Sequence, residues 1–212
     1  MVEPTFRTAR GRFVTEAARL FSAQGYAATS VADIQLACGL TGGSGALYKH
    51  FPSKRRLLEE VIGTHIATMR AGSQSFGEQL PDDLAEALRW VARAVWAGMQ
   101  RDQQALRVTL RDLDDFPELL DEIWAEIRAN VYGQFTRWLR DQMDRGTVRV
   151  ADPAATAAVL LASLTYHPIL DTLIGHTPGD IDAGRFADAW VQHAVATLRP
   201  RRLPGQRPLP RC

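Results

Sequence analysis

A chain of 212 residues, 46% of them apolar, has ample material for a packed core, which excludes general disorder. Its formal charge of +1 hides three blocks: residues 1–56 carry a net +5, residues 57–198 a net −9, and residues 199–212 five arginines and no acid. The two cysteines, Cys38 in a helical stretch and Cys212 at the end, argue against a disulfide framework or a thiolate metal site. No stretch near Met1 combines a basic start, an apolar run and a small-residue cleavage site, so a cytoplasmic protein is expected.

Helical spacing recurs along the chain and period-two alternation does not, which predicts an all-α fold. Phe6, Ala9, Phe13, Ala17, Leu20 and Phe21 form one stripe of a first helix, from Thr5 to Gln24, with Gly25 as its C-terminal cap. Thr29 and Ser30 are N-cap residues before Val31, Ile34, Ala37 and Cys38, a short second helix that Gly39 stops. Thr41 can cap a third helix ending near Phe51, and Pro52 and Ser53 open a fourth that reaches toward Ser75.

A fifth helix carries Leu84, Leu88, Val91, Val95 and Met99 on one face, with Asp82, Asp83 and Glu86 complementing its N-terminal dipole. A shorter one follows near Gln103 to Leu113. Pro117 then opens a long helix with Leu120, Ile123, Ile127, Val131, Phe135 and Leu139 on one face, ended by Gly146. Asp152 and Pro153 start another, apolar on nearly all sides. Its charge-free stretch is broken by Thr156, Ser163, Thr165, Tyr166, His167 and Pro168, which suits burial and not a bilayer span. Asp182 to Leu198 forms the last helix. The tail, 199–212, sets four prolines among arginines and is expected to be disordered.

The second helix, the glycine turn and the third helix have the make-up of a helix-turn-helix, whose second helix lies in the major groove. The string Ala28-Thr29-Ser30-Val31-Ala32-Asp33-Ile34, then Gly39-Leu40-Thr41, then Ala46-Leu47-Tyr48-Lys49-His50-Phe51-Pro52-Ser53-Lys54, resembles the TetR family of transcriptional regulators. The likeness is specific over Arg12 to Ile62 and extends more weakly through Phe116-Pro117-Glu118-Leu119 and Arg149-Val150-Ala151-Asp152-Pro153. One departure stands out: Gly42-Gly43-Ser44-Gly45-Ala46 makes the segment before Leu47 longer than the family's commonest pattern, so the recognition helix is expected to start later or differently.

The resemblance implies a DNA-binding domain over 1–56, an effector-binding and dimerising bundle over 57–198, and phosphate contacts from Thr29, Tyr48 and Lys54. Thr29 and Ser30 at a helix N-terminus also suit an anion on physical grounds, although simple capping explains them equally. Lys54, Arg55 and Arg56 sit in the first turn of a helix, where cations oppose the dipole unless an anion faces them. Thr41, Gly43, Ser44, Lys49 and His50 complete the candidate DNA contacts, with base readout and backbone contact both open to them. Leu47 and Phe51 read as the helix's core face, and Tyr48 fits either side.

The glycines at 42, 43 and 45 do not make a nucleotide loop, because no Gly-Lys-Ser/Thr follows. Asp112, Asp114, Asp115 and Glu118 lack the order of a calcium loop, and the five histidines lack paired metal-ligand spacing. No enzyme, metal or cofactor is therefore expected. Trp96, Met99, Phe116, Trp124 and Tyr166 are the candidate lining of an effector cavity, with ordinary core packing as the competing reading. The expected partners are double-stranded DNA, a small apolar or aromatic effector, and a second copy of the chain, with no membrane. The rival function is a helical protein-interaction module whose basic end meets an acidic protein.

Overall fold

The computed structural model describes residues 8–73, 80–177, 179 and 181–199, and every described segment of regular structure is helical. The predicted start of the first helix before Thr8, the end of the fourth beyond Ser73 and the tail from Pro200 lie outside the described residues.

Helix α1 spans Ala9–Gln24; Thr8 caps it by accepting from the Gly11 amide at 3.1 Å, and Gly25, at φ +97°, closes it with its N–H on Phe21 O. Phe13, Ala17 and Phe21, four apart, are buried. Helix α2, Val31–Ala37, starts in a reciprocal capping box between Ser30 and Asp33. Helix α3, Lys54–Ser73, sends Leu57, Leu58, Val61 and Ile62 inward. Together with Ile34, Leu47 and Phe51 these side chains form the first core, which Val108, Leu113, Phe116, Leu119 and Ile123 complete from further along the chain.

Helices α4, Leu84–Arg101, and α5, Gln103–Asp112, are followed by a single 3₁₀ turn and by α6, Pro117–Glu126. The sequence predicts one continuous helix from Pro117 to Gly146, and the structure differs: a π-helical stretch, Ile127–Tyr132, separates α6 from α7, Gly133–Asp144. The cause is local. The Gly133 N–H bonds to Arg128 O, five residues back, and a Cβ at 133 would lie 3.1 Å from that oxygen, so glycine accommodates the wide turn.

Helix α8, Pro153–Ile174, and α9, Ala183–Leu198, begin at capping aspartates, Asp152 and Asp182. At 22 residues α8 is long and apolar enough to cross a membrane, but Ala157, Leu160, Leu161 and Leu164 pack it into the second core with α4, α7 and α9. Pro168 removes the amide that would bond Leu164 O, and the Trp96 indole N–H donates to that carbonyl at 2.9 Å instead.

Candidate nucleic-acid interface

The segment between α2 and α3 is not the α-helix that the sequence predicts from Thr41 to Phe51. Only Leu47–Lys49 is helical, as one 3₁₀ turn, and Thr41 caps nothing. Gly43 and Gly45 adopt φ of +80° and +67°, a left-handed backbone that cannot belong to a right-handed helix. The extra glycines have thus converted the first half of the reading segment into a loop.

That loop is nevertheless anchored. Gln35 of α2 is buried, and its Oε1 accepts from the Leu47 amide at 3.3 Å and from Ser44 Oγ at 3.5 Å. At the other end Arg10 of α1 donates to His50 O at 2.9 Å, pairs with Glu60 at 2.9 Å and lies over the Phe51 ring. Leu47 and Phe51 are buried, as their spacing predicts, so Thr41, Gly42, Gly43, Ser44, Tyr48, Lys49 and His50 all face outward on one short stretch. Sequence reasoning missed Gln35 and Arg10. Gln35 had a signal, an amide that shares its helix face with the apolar Val31 and Cys38, four residues before it and three after.

The two cap residues separate. Thr29 is fully buried and its hydroxyl donates to Gly25 O at 2.7 Å, whereas Ser30 is exposed. Asp33 accepts from the Ser30 amide and hydroxyl at 2.8 and 2.7 Å, which holds its carboxyl below the usual range. A carboxylate therefore already sits at the N-terminus of α2.

Lys54 points inward. Its ammonium donates to Tyr26 O at 2.8 Å and Thr29 O at 2.9 Å and lies 4.1 Å from the centre of the Tyr26 ring, and burial pushes its pKa down. It ties the α1–α2 turn to α3 and places a positive charge behind the start of α2. The neighbouring cations do not wait for an anion: Arg56 pairs with Glu59 at 2.5 Å, and Arg55 pairs with Glu59 and with Glu118 of α6. Carboxylates of the chain itself offset the dipole penalty at that helix start.

The head is joined to the rest through a mixed seam. Tyr26 packs edge-on against Phe116 at 4.9 Å, Arg55 lies over the same ring, and Arg111 of α5 donates to Phe21 O at the end of α1. Further along α3, Arg70 forms a two-point pair with buried Glu126, at 2.7 and 3.2 Å, and Asn130 donates to the same carboxylate.

The five candidate effector residues do not line one cavity. Trp96 and Met99 border a small space of about 50 Å³ with Gln100, His167, Pro168 and Thr172. Phe116 belongs to the seam, while Trp124 and Tyr166 are about half exposed, at 49% and 54%. Helical spacing places these rings on α6 and α8 but leaves their azimuth to packing. The larger hollow, about 340 Å³, is an open cleft between α1 and the end of α2, lined by Arg12, Thr15, Glu16, Ala37, Cys38 and Gly39.

Comparison with known proteins agrees with this architecture. Residues 13–61 match the family profile described as bacterial regulatory proteins, tetR family. Residues 86–199 match that of the AefR-like transcriptional repressor, C-terminal domain. No curated protein sequence matches the chain. Among solved structures, the TetR family transcriptional regulator PfmR from Thermus thermophilus is 27% identical, with 89% of this chain and 100% of that one covered at a TM-score of 0.69. The ketosteroid transcriptional regulator KstR2 of Mycobacterium tuberculosis is 16% identical, with 95% and 100% covered at a TM-score of 0.68. A putative TetR-family transcriptional regulator from Mesorhizobium loti is 20% identical, with 90% and 96% covered at 0.68. With a family profile across more than half of its length and a helix-turn-helix whose outer segment is anchored at both ends, the chain belongs to the TetR family of transcriptional regulators, DNA-binding proteins of two helical parts.

Proposed function

We propose that this regulator is a cytoplasmic dimeric repressor that leaves a pseudo-palindromic operator when a small apolar or aromatic effector binds its body. The observation that carries the DNA part is the outward-facing stretch Thr41–Ser44 and Tyr48–His50, anchored at both ends on a block with a net charge of +5. Ser30, Lys49 and His50 are the contacts we assign to DNA directly, while Thr29 and Lys54 act by positioning the start of α2. For dimerisation, α8 leaves Val159, Tyr166 and Leu173 exposed at intervals of seven residues, a continuous apolar stripe suited to a twofold interface.

The space beside Trp96 and Met99 is the starting point for an effector, since aromatic and thioether groups line it with His167 and Thr172 as polar handles. At about 50 Å³ it is smaller than the ~300 Å³ of an ordinary ligand pocket, so binding requires α4, α5 and α8 to part. The test is selection of duplexes from a genomic library at near-physiological salt, followed by titration with apolar and aromatic compounds while Trp fluorescence is read. Enrichment of a palindrome that a quenching compound then releases supports the reading. Weak, sequence-blind binding would instead favour an acidic protein as partner of the basic end.

A further inference from the structure

We propose that Leu36, on the outer face of α2, is a base-contacting residue that recognises thymine through its C5-methyl group. The inference rests on the DNA-binding reading above and adds to it a class of base.

Leu36 is 60% exposed, whereas its neighbours Ile34 and Gln35 are buried. A single exposed leucine is ordinary on any protein surface. The position of this one is not. A Cβ built on Gly42 would lie 3.6 Å from Leu36 Cγ and 3.7 Å from Ala32 Cβ, so Ala32 and Leu36, one turn apart, flank the reading segment directly. Glycine at 42 keeps any side chain from covering the leucine methyls. Gly43 and Gly45 open onto free space, with nothing within 4 Å of a built Cβ. The result is a low apolar ledge, Ala32 and Leu36, beside the exposed loop Thr41–Ser44.

Duplex DNA is the occupant that fits. The block carrying the ledge has a net charge of +5, and the reading segment it borders exposes Lys49 and His50. Among the groups on the major-groove edges of the base pairs, the thymine C5-methyl is the apolar one, and apolar side chains read it by contact. A leucine where charge complementarity calls for a polar group therefore selects a base and not a phosphate.

The experiment uses the full chain. A duplex is selected from a random library with the unmodified protein, and each thymine is replaced in turn by deoxyuridine, which removes the methyl group and nothing else. At least one thymine in each half-site should be sensitive, its loss weakening binding about fourfold, the worth of one buried methyl group. Leu36→Ala should bind the thymine and uracil duplexes equally, and Leu36→Met should keep the discrimination. Equal thermal midpoints for the three proteins show that the head is folded in each. Indifference of the unmodified protein to every uracil, or the same uracil penalty in Leu36→Ala, overturns the assignment while leaving DNA binding intact. Failure to enrich any duplex overturns both.

Discussion

Replacing Lys54 by alanine separates a lysine that holds the head together from one that only meets a phosphate. The substitution removes two charge-assisted hydrogen bonds, to Tyr26 O and Thr29 O, and the cation lying 4.1 Å from the Tyr26 ring centre. Hydrogen bonds from charged donors contribute about 1.5–3 kcal/mol each when buried, but Lys54 is only partly buried and water can replace part of what is lost, so a total of about 2–3 kcal/mol is expected. For a chain of this size that corresponds to a fall of about 5–10 °C in thermal midpoint, read by circular dichroism. DNA affinity should fall as well, because Ser30 loses its fixed position, yet the slope of log affinity against log salt should stay close to that of the unmodified protein. A Lys54→Ala protein of unchanged thermal midpoint whose salt slope drops by about one phosphate contact would refute the positioning role.

Three further outcomes follow from the geometry. His65, whose Nδ1 is buried without a hydrogen-bond partner and lies 3.8 Å from Asp102 Oδ2, has its pKa pushed below 6.5 by burial, with Arg101 adding to and Asp102 opposing that shift. The unfolded chain therefore takes up a proton that the fold resists, so stability should decline as the pH falls below about 6.5; His65→Asn should show a shallower decline in thermal midpoint between pH 7.5 and pH 5.5, and equal slopes would count against it. Trp96→Phe keeps an aromatic ring but removes the indole N–H, so Leu164 O, already deprived of an amide by Pro168, loses that donor, and the protein should lose about 1–2 kcal/mol in denaturant unfolding. Gly45→Ala places a Cβ on a backbone of φ +67° and should lose about 1–2 kcal/mol although nothing crowds the site; a neutral result would mean that the loop re-forms as a helix.

Helix positions are largely legible in the sequence because each is set by local signals: Ser30, Asp83, Asp152 and Asp182 accept the amides that capping chemistry requires. The two departures have non-local or steric causes. Nothing in the apolar stripe from Leu120 to Leu139 marks a π stretch, since the stripe continues through it and only Gly133 and the buried Glu126 distinguish the place. The reading segment departs for the opposite reason: its glycines are visible in the sequence, but the family's helical pattern does not survive them. Site residues are legible as a region and not as roles. A lysine at the start of a helix has the same sequence whether its ammonium faces solvent or folds back onto Tyr26 O and Thr29 O, and the outcome depends on a turn 25 to 28 residues earlier.

Charge and packing divide this chain differently, and the difference bears on how its parts are joined. Net charge changes sign near residue 56, yet residue 56 lies in the first turn of α3, and the next residues, Leu57, Leu58, Val61 and Ile62, belong to the core of α1 and α2. That same core takes in Val108, Leu113, Phe116, Leu119 and Ile123 from the acidic stretch. Charge is a property of the solvated surface and records which partner each face meets; the apolar side chains record which elements must move as one. The two records conflict around α3, where Arg55 meets Glu118 and Arg10 meets Glu60 across the charge boundary. Opposite charges therefore face each other across the boundary that composition draws. A rotation of the head relative to α5 and α6 has to break the Tyr26–Phe116 contact and the Arg111 bond to Phe21 O.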